Sequence, residues 1–258
     1  MAVIPVVHAN SAVRDLLRRG VKRRARVLSC RSMRRVRALL AEELVDAIVV
    51  DVRSQSVAAD AFELAVTFPE VPIFACSAFR PDDGPLLTRC QAAGLHGVFV
   101  NGVDEPVLGE YVASRCATNR RRNALADAPQ LLRLTEPVQM HVWNEILERV
   151  DQPTTTASLA GALGVSREHL SREFAAGGAP NLKRVIDLAR LTCAAHLLTN
   201  PGYNVTMVAH ILRFSSASHL AGSARRIAGV APSELSELGA RGVLHRFRRG
   251  RMRSRLSS

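Results

Sequence analysis

"VDAIVVDVRS" (residues 45–54) decides how the first half of the chain reads. Ala47, Ile48, Val49 and Val50 form an apolar, mostly β-branched run that ends on an acid, Asp51, followed by a charged and polar turn. A strand buried on both faces of a parallel sheet has this pattern, and it delivers its last side chain to the carboxyl end of the sheet. In open α/β sheets that end is where ligands and chemistry are found.

Four more short strands are expected around it, "VIPVVHA" (3–9), "ARVLSC" (25–30), "VPIFACSA" (71–78) and "HGVFVNG" (96–102). Between them lie "SAVRDLLRRG" (11–20), "SMRRVRALLAEE" (32–43), "AFELAVTFP" (61–69) and "LLTRCQAAG" (86–94), with apolar residues three and four apart. Strands alternating with helices at this interval imply a parallel sheet covered on both faces. The expectation for residues 1–118 is a doubly wound α/β domain with a five-stranded parallel sheet.

The order and lengths of these elements resemble the receiver domain of bacterial response regulators. By that resemblance Asp51 stands at the phosphoacceptor position, and Ser77 in "CSA" (76–78) at the family's Thr/Ser position. Receivers hold Mg²⁺ with an acidic pair after the first strand and neutralise the phosphoryl group with a lysine after the fifth. A hard cation needs such oxygen ligands. Here the first position reads His8-Ala9-Asn10, and the second is Asn101 followed by Gly102. Asp51 is therefore expected to be a vestigial phosphoacceptor, with no metal and no cofactor. The arginines of "RRGVKRRAR" (18–26) and of residues 31–37 read either as a solvated face or as a contact surface for DNA or an acidic partner.

Composition sets further bounds. The 258 residues are 47% hydrophobic, enough for two ordinary cores. No apolar run approaches the roughly 20 residues of a membrane span, and the first residues lack the pattern of a secretory signal, so a cytoplasmic location is expected. Five cysteines at wide, irregular spacing carry no metal signature and read as reduced, buried thiols. Residues 1–118 carry 15 basic and 13 acidic side chains, whereas 119–258 carry 20 and 10, so most of the net +12 lies in the second half. An excess of that kind points to a polyanionic partner.

"TNRRRNALADAPQ" (118–130) reads as a junction, and 119–137 as a linker. "VQMHVWNEILERV" (138–150) is helical, with Val138, Val142, Ile146 and Val150 on one stripe. In "TASLAGALGVSREHLSREF" (156–174), Thr156 or Ser158 caps a short helix, Gly164 opens a turn, and Ser166 caps a second helix. Two short helices joined by a Gly-containing turn make a helix-turn-helix. A long helix at 181–200 leads to a second such unit in "NVTMVAHILRFSSASHLAGSARRIAGVAPSEL" (204–235), with Phe214 at the turn and Ser215 opening the next helix.

This arrangement, over 138–238, resembles the DNA-binding domain of AraC-type transcriptional regulators. Arg190 matches the arginine of that family's connecting helix, and Phe214, Ser218, His219, Gly229 and Pro232 match its signature. The resemblance implies double-stranded DNA as partner and an all-α second domain with two helix-turn-helix units. It places base reading on Glu168, Ser171 and Arg172, with Arg167 on phosphate. In the second unit it points to Ser215, Ser216, Ser218, His219, Arg225 and Arg226. That unit departs from the family: Ala217, Ala221 and Gly222 occupy reading positions, Arg213 replaces the turn glycine, and Leu220, Ala224 and Ala228 replace aromatics. The basic tail, 239–258, reads either as a solvated end or as an arm adding phosphate contacts.

Together these readings describe a non-enzymatic, phosphorylation-independent transcription regulator. Its first domain would serve dimerisation or the sensing of a ligand or partner, and RNA polymerase is a further possible partner. The alternatives are a phosphorylated response regulator and a nucleoid-type protein binding DNA with little sequence preference. An enzyme is disfavoured, because 1–118 shows no Gly-rich phosphate loop and no nucleophile–base pair at a recognisable spacing.

Overall fold

Residues 1–22 and 25–256 are described by a computed structural model, with side chains followed to Arg249. Arg23 and Arg24 of the basic connection, and the arginines at 251, 253 and 255 of the tail, lie outside the described side chains. The chain divides into two units, Met1–Arg120 with Asn200–Gly202, and Arg121–Thr199 with Tyr203–Ser258.

The first unit is built on strands β1 (Val3–Val7), β2 (Arg26–Ser29), β3 (Ile48–Val50), β4 (Ile73–Ser77) and β5 (Gly97–Val100). All pair in parallel, in the order β2-β1-β3-β4-β5. The strand order reverses between β1 and β3, so the crevice of the fold opens at the ends of these two strands. The helices are α1 (Ser11–Val21), α2 (Met33–Glu42), α3 (Gln55–Thr67), α4 (Gly84–Ala92) and α5 (Glu105–Arg115).

Alternation along the strands decides the two faces. Ile4, Val6, Val49, Phe74, Cys76 and Phe99 bury against Val13, Leu17, Leu108 and Val112 of α1 and α5. The residues between them face the other way, where α2 packs on β1 and α3 on β3. The two helices of the first layer approach so closely that a Cβ on Gly20 would stand 2.1 Å from the backbone of Gly109. No side chain fits there without moving a helix. Four arginines of these stretches pair with neighbours: Arg18 with Asp15, Arg26 with Glu43, Arg35 with Glu42, and Arg37 with Asp60 and Glu63. All five cysteines are free and buried.

The second unit is helical. The segment expected as a linker is largely α6 (Ala117–Ala124) and α7 (Ala128–Leu132), because Leu125, Ala128, Leu132 and Leu134 are buried. Next come α8 (Pro137–Glu148), α9 (Thr156–Ala162), α10 (Arg167–Ala175), α11 (Leu182–Leu198), α12 (Val205–Ile211) and α13 (Ala217–Ala228). The tail is a helix as well. α14 (Leu235–Leu256) bends at Gly239, whose φ is +59°, and packs along α11. Val243, Leu244 and Phe247 are buried, so its first half is part of the core rather than a solvated arm. No described helix is long and apolar enough to cross a membrane.

Candidate nucleic-acid interface

The crevice of the first unit gathers the residues at the strand ends. Asp51 accepts the Ser77 hydroxyl at 2.7 Å and the Arg53 N–H at 3.1 Å on the same Oδ1. Ser77 is fully buried, and its Oγ also accepts from Val52 N. The Arg53 side chain turns to the Ala78 carbonyl. At the end of β1, His8 Nδ1 accepts from Asn10 N, and Asn10 caps α1 by accepting from Ala12 N. After β5, Asp104 accepts from Val100 N at 2.7 Å and Glu105 from Gly102 N. Each carboxylate near the strand ends therefore serves a local turn. Cys76 lies beneath them, and burial, reinforced by Asp51, pushes its thiol up to about 12. Among the described residues, no group of three His, Cys, Asp or Glu side chains is arranged to hold a metal ion.

In the second unit, sequence and geometry meet on α10. Thr155, rather than Thr156 or Ser158, caps α9: its Oγ1 accepts from Ser158 N, while Ser158 Oγ accepts from Thr155 N. Such a box satisfies two otherwise unpaired donors. Gly164 turns the chain with φ +67°, and Ser166 caps α10 by accepting from His169 N at 3.1 Å. Leu170 and Phe174 anchor the buried side. Glu168, Ser171 and Arg172, spaced i, i+3 and i+4, share the outer face, with Arg167 beside them. Among the described residues, no hydrogen bond or ion pair ties the side chains of Arg167, Glu168 or Arg172.

The far end of this helix is held by Gln139, a residue the sequence reading passed over. It is fully buried, donating from Nε2 to the Phe174 and Ala176 carbonyls at 2.9 and 3.0 Å. Its Oε1 accepts from Thr135 N and Glu136 N. A buried amide that meets four backbone groups fixes the helix axis, and its signal was a lone polar residue inside an apolar helix face.

The second helix-turn-helix repeats the first with two changes. Val165 N donates to Ala160 O in one turn, and Phe214 N to Ala209 O in the other. Arg213 takes the glycine's place at φ +57°. The second turn is one residue longer, so α13 begins at Ala217 and not at Ser215. Ser216 is its cap, accepting from His219 N, and Ser215 bonds to His219 Nδ1 at 3.0 Å. With the caps aligned, Ser218 stands where Glu168 does, Ala221 where Ser171 does, and Gly222 where Arg172 does. Gly222 faces open space. Arg225 extends that outer face, while Arg226 turns back to Asp187 on α11 at 3.2 Å.

Arg190 locks this turn to the connecting helix. Its guanidinium donates to the Leu212 carbonyl at 2.8 Å and to the Arg213 carbonyl, and lies 4.6 Å from the Phe214 ring centroid. Burial lowers its pKa, with Asp187 opposing, yet an arginine stays charged under such a shift.

Comparison with known proteins agrees with this geometry. Residues 159–237 match a protein-family model described as "Helix-turn-helix domain". This segment is an AraC-type helix-turn-helix domain. The match points to a DNA-binding transcription regulator. No curated protein matches the chain. Among solved structures, a response regulator from Thermotoga maritima is 17% identical, covering 45% of this chain and 97% of its own, with a TM-score of 0.39. Full-length FixJ from B. japonicum is 15% identical, covering 87% and 96%, with a TM-score of 0.38. Both superpositions are loose, and the receiver-like architecture rests on the strand order itself.

Proposed function

We propose that the protein is a sequence-specific DNA-binding transcription regulator whose receiver-like domain works without phosphorylation. The observation that carries the DNA reading is the state of α10. The side chains of Arg167, Glu168 and Arg172 are exposed and, among the described residues, untied, on a helix held at one end by Ser166 and at the other by Gln139. In this reading Glu168 accepts from cytosine N4, Arg172 forks onto guanine O6 and N7, and Arg167 contacts phosphate. Ser171 adds a short hydroxyl contact. Ser215, Ser216, Ser218 and His219 approach the second groove face, and Arg225 and Arg226 meet the backbone.

Phosphorylation independence is supported by His8, Asn10 and Asn101 at positions where the chemistry needs two carboxylates and an amine. It is also supported by the engagement of Asp51 with Ser77 and Arg53. Residues 1–118 then serve dimerisation or sensing of a ligand or partner. Val98, Val103 and Val107, exposed around β5 and α5, support a contact surface there. Residues 138–238 form the DNA-binding domain, with 119–137 and the tail as its helical supports, and RNA polymerase is a further partner of the bound state.

One observation favours a second reading. Ala217, Ala221 and Gly222 have little reach to a base, as expected of a protein that coats DNA with little preference. The test is to enrich a site from random DNA and compare affinities for that site and for random duplex over a salt series. A specific regulator binds its site at least about a thousandfold more tightly. A ratio near one would instead support the coating protein.

A further inference from the structure

Two grooves flank the first turns of α11. One, of about 350 Å³, is walled by residues including Thr155, Arg167, Lys183 and Asp187. The other, of about 630 Å³, is lined by Asn181, Lys183, Arg184, Asp187, His219 and Arg226. Lys183 and Asp187 line both, so the two grooves adjoin along this edge of α11 and together make a trough. It runs from the first residue of α10, across α11, to the first turn of α13.

The charges along this trough are lopsided. Arg167, Lys183, Arg184 and Arg226 stand against one carboxylate, Asp187, which already pairs with Arg226 at 3.2 Å. Arg184 lies over the Phe247 ring, which fixes its stem. Lys183 is exposed, and among the described residues no ion pair restrains it. Among these lining residues, His219 alone has an aromatic ring for a base to stack on, and that ring already meets Phe214 edge-on. A row of cations without a stacking platform suits a sugar–phosphate strand rather than an exposed base.

We infer that this trough seats the DNA backbone between the two major-groove faces, with Lys183 as the principal phosphate contact. Asp187 holds Arg226 at the far wall and offsets part of the positive field. The inference rests on the DNA-binding reading and deepens it. The trough is a non-specific clamp that sets the register of the two reading helices.

The test uses the full chain as wild type, Lys183→Gln and Asp187→Asn, bound to an enriched site and to random duplex across a salt series. Lys183→Gln is expected to weaken both by the same factor and to make the log–log salt slope shallower by about one. Asp187→Asn is expected to tighten binding to both. Ethylation of the phosphates between the two half-sites is expected to impair wild type and to matter less to Lys183→Gln. Wild type that binds no DNA would overturn the DNA-binding reading itself. Wild type that binds, with an unchanged slope and unchanged central ethylation pattern in Lys183→Gln, would overturn the trough alone. Lys183 is exposed, so circular dichroism is expected to show the variant folded.

Discussion

Arg190 and Phe214 form a cation–π pair, 4.6 Å from guanidinium carbon to ring centroid, between the connecting helix and the second turn. The same guanidinium satisfies the Leu212 and Arg213 carbonyls. One residue thus fixes the second helix-turn-helix on α11 and relieves two carbonyls at a point where Arg213 holds a left-handed conformation. Arg190→Leu leaves those carbonyls without their partner and is expected to cost about 1–3 kcal/mol. Urea unfolding measures that loss. DNA affinity is expected to fall alike for the enriched site and for random duplex, because what is lost is the placement of α13.

Gly222 allows the converse experiment. A Cβ there meets nothing within 4 Å, so Gly222→Ala is expected to stabilise α13 by about 1 kcal/mol, the difference in helix propensity. Gly222→Arg puts a forked donor where the first helix-turn-helix has Arg172. A selection from random DNA is expected to reveal a guanine preference in the second half-site that the wild type lacks.

Asp51→Asn keeps an oxygen for the Ser77 hydroxyl and removes the carboxylate. DNA binding and regulation are expected to be unchanged. Incubation with acetyl phosphate and Mg²⁺ is expected to leave wild type unlabelled by mass spectrometry. A phosphoryl adduct that vanishes in Asp51→Asn would restore the response-regulator mechanism.

His96 gives the first unit a pH dependence. Its Nδ1 accepts from Ile73 N, and its Nε2 lies 3.3 Å from Arg120 Nη1. Burial, then the Arg120 charge, hold its pKa below 6.5. The folded imidazole therefore resists a proton that the unfolded chain accepts near pH 6.5. Stability is complete above that pH and falls as the pH drops below it. Denaturant midpoints at pH 7.5 and pH 5 are expected to differ less in His96→Gln than in wild type.

The sheet was legible because strands buried on both faces leave runs such as Ile48-Val49-Val50 with nothing polar to confuse them. The reader helix was legible because Ser166 caps it and Leu170 and Phe174 lie one turn apart. The supports were not. Gln139 looks like a polar interruption until the fold brings the Phe174 and Ala176 carbonyls, from a distant part of the chain, to its amide. The spacing of Val243, Leu244 and Phe247 that makes α14 a core helix was masked by the arginines around it. The start of α13 was misplaced because Ser215 and Ser216 are both able to cap, and only the longer turn decides between them.

Sequence reading is expected to be lopsided, carried by α10 and only supported by α13. Two readers on one connecting helix meet successive major-groove faces, roughly 34 Å apart. A good bidentate contact discriminates by about 1–3 kcal/mol, whereas a phosphate contact affects all sequences nearly alike. The most direct measurement is a selection from random DNA with wild type, Arg172→Ala and Arg225→Ala. One strongly specified half-site that flattens in Arg172→Ala is expected beside a weak one, with Arg225→Ala lowering affinity for every sequence. Two equally specified half-sites, the second depending on Ser218 or His219, would contradict it.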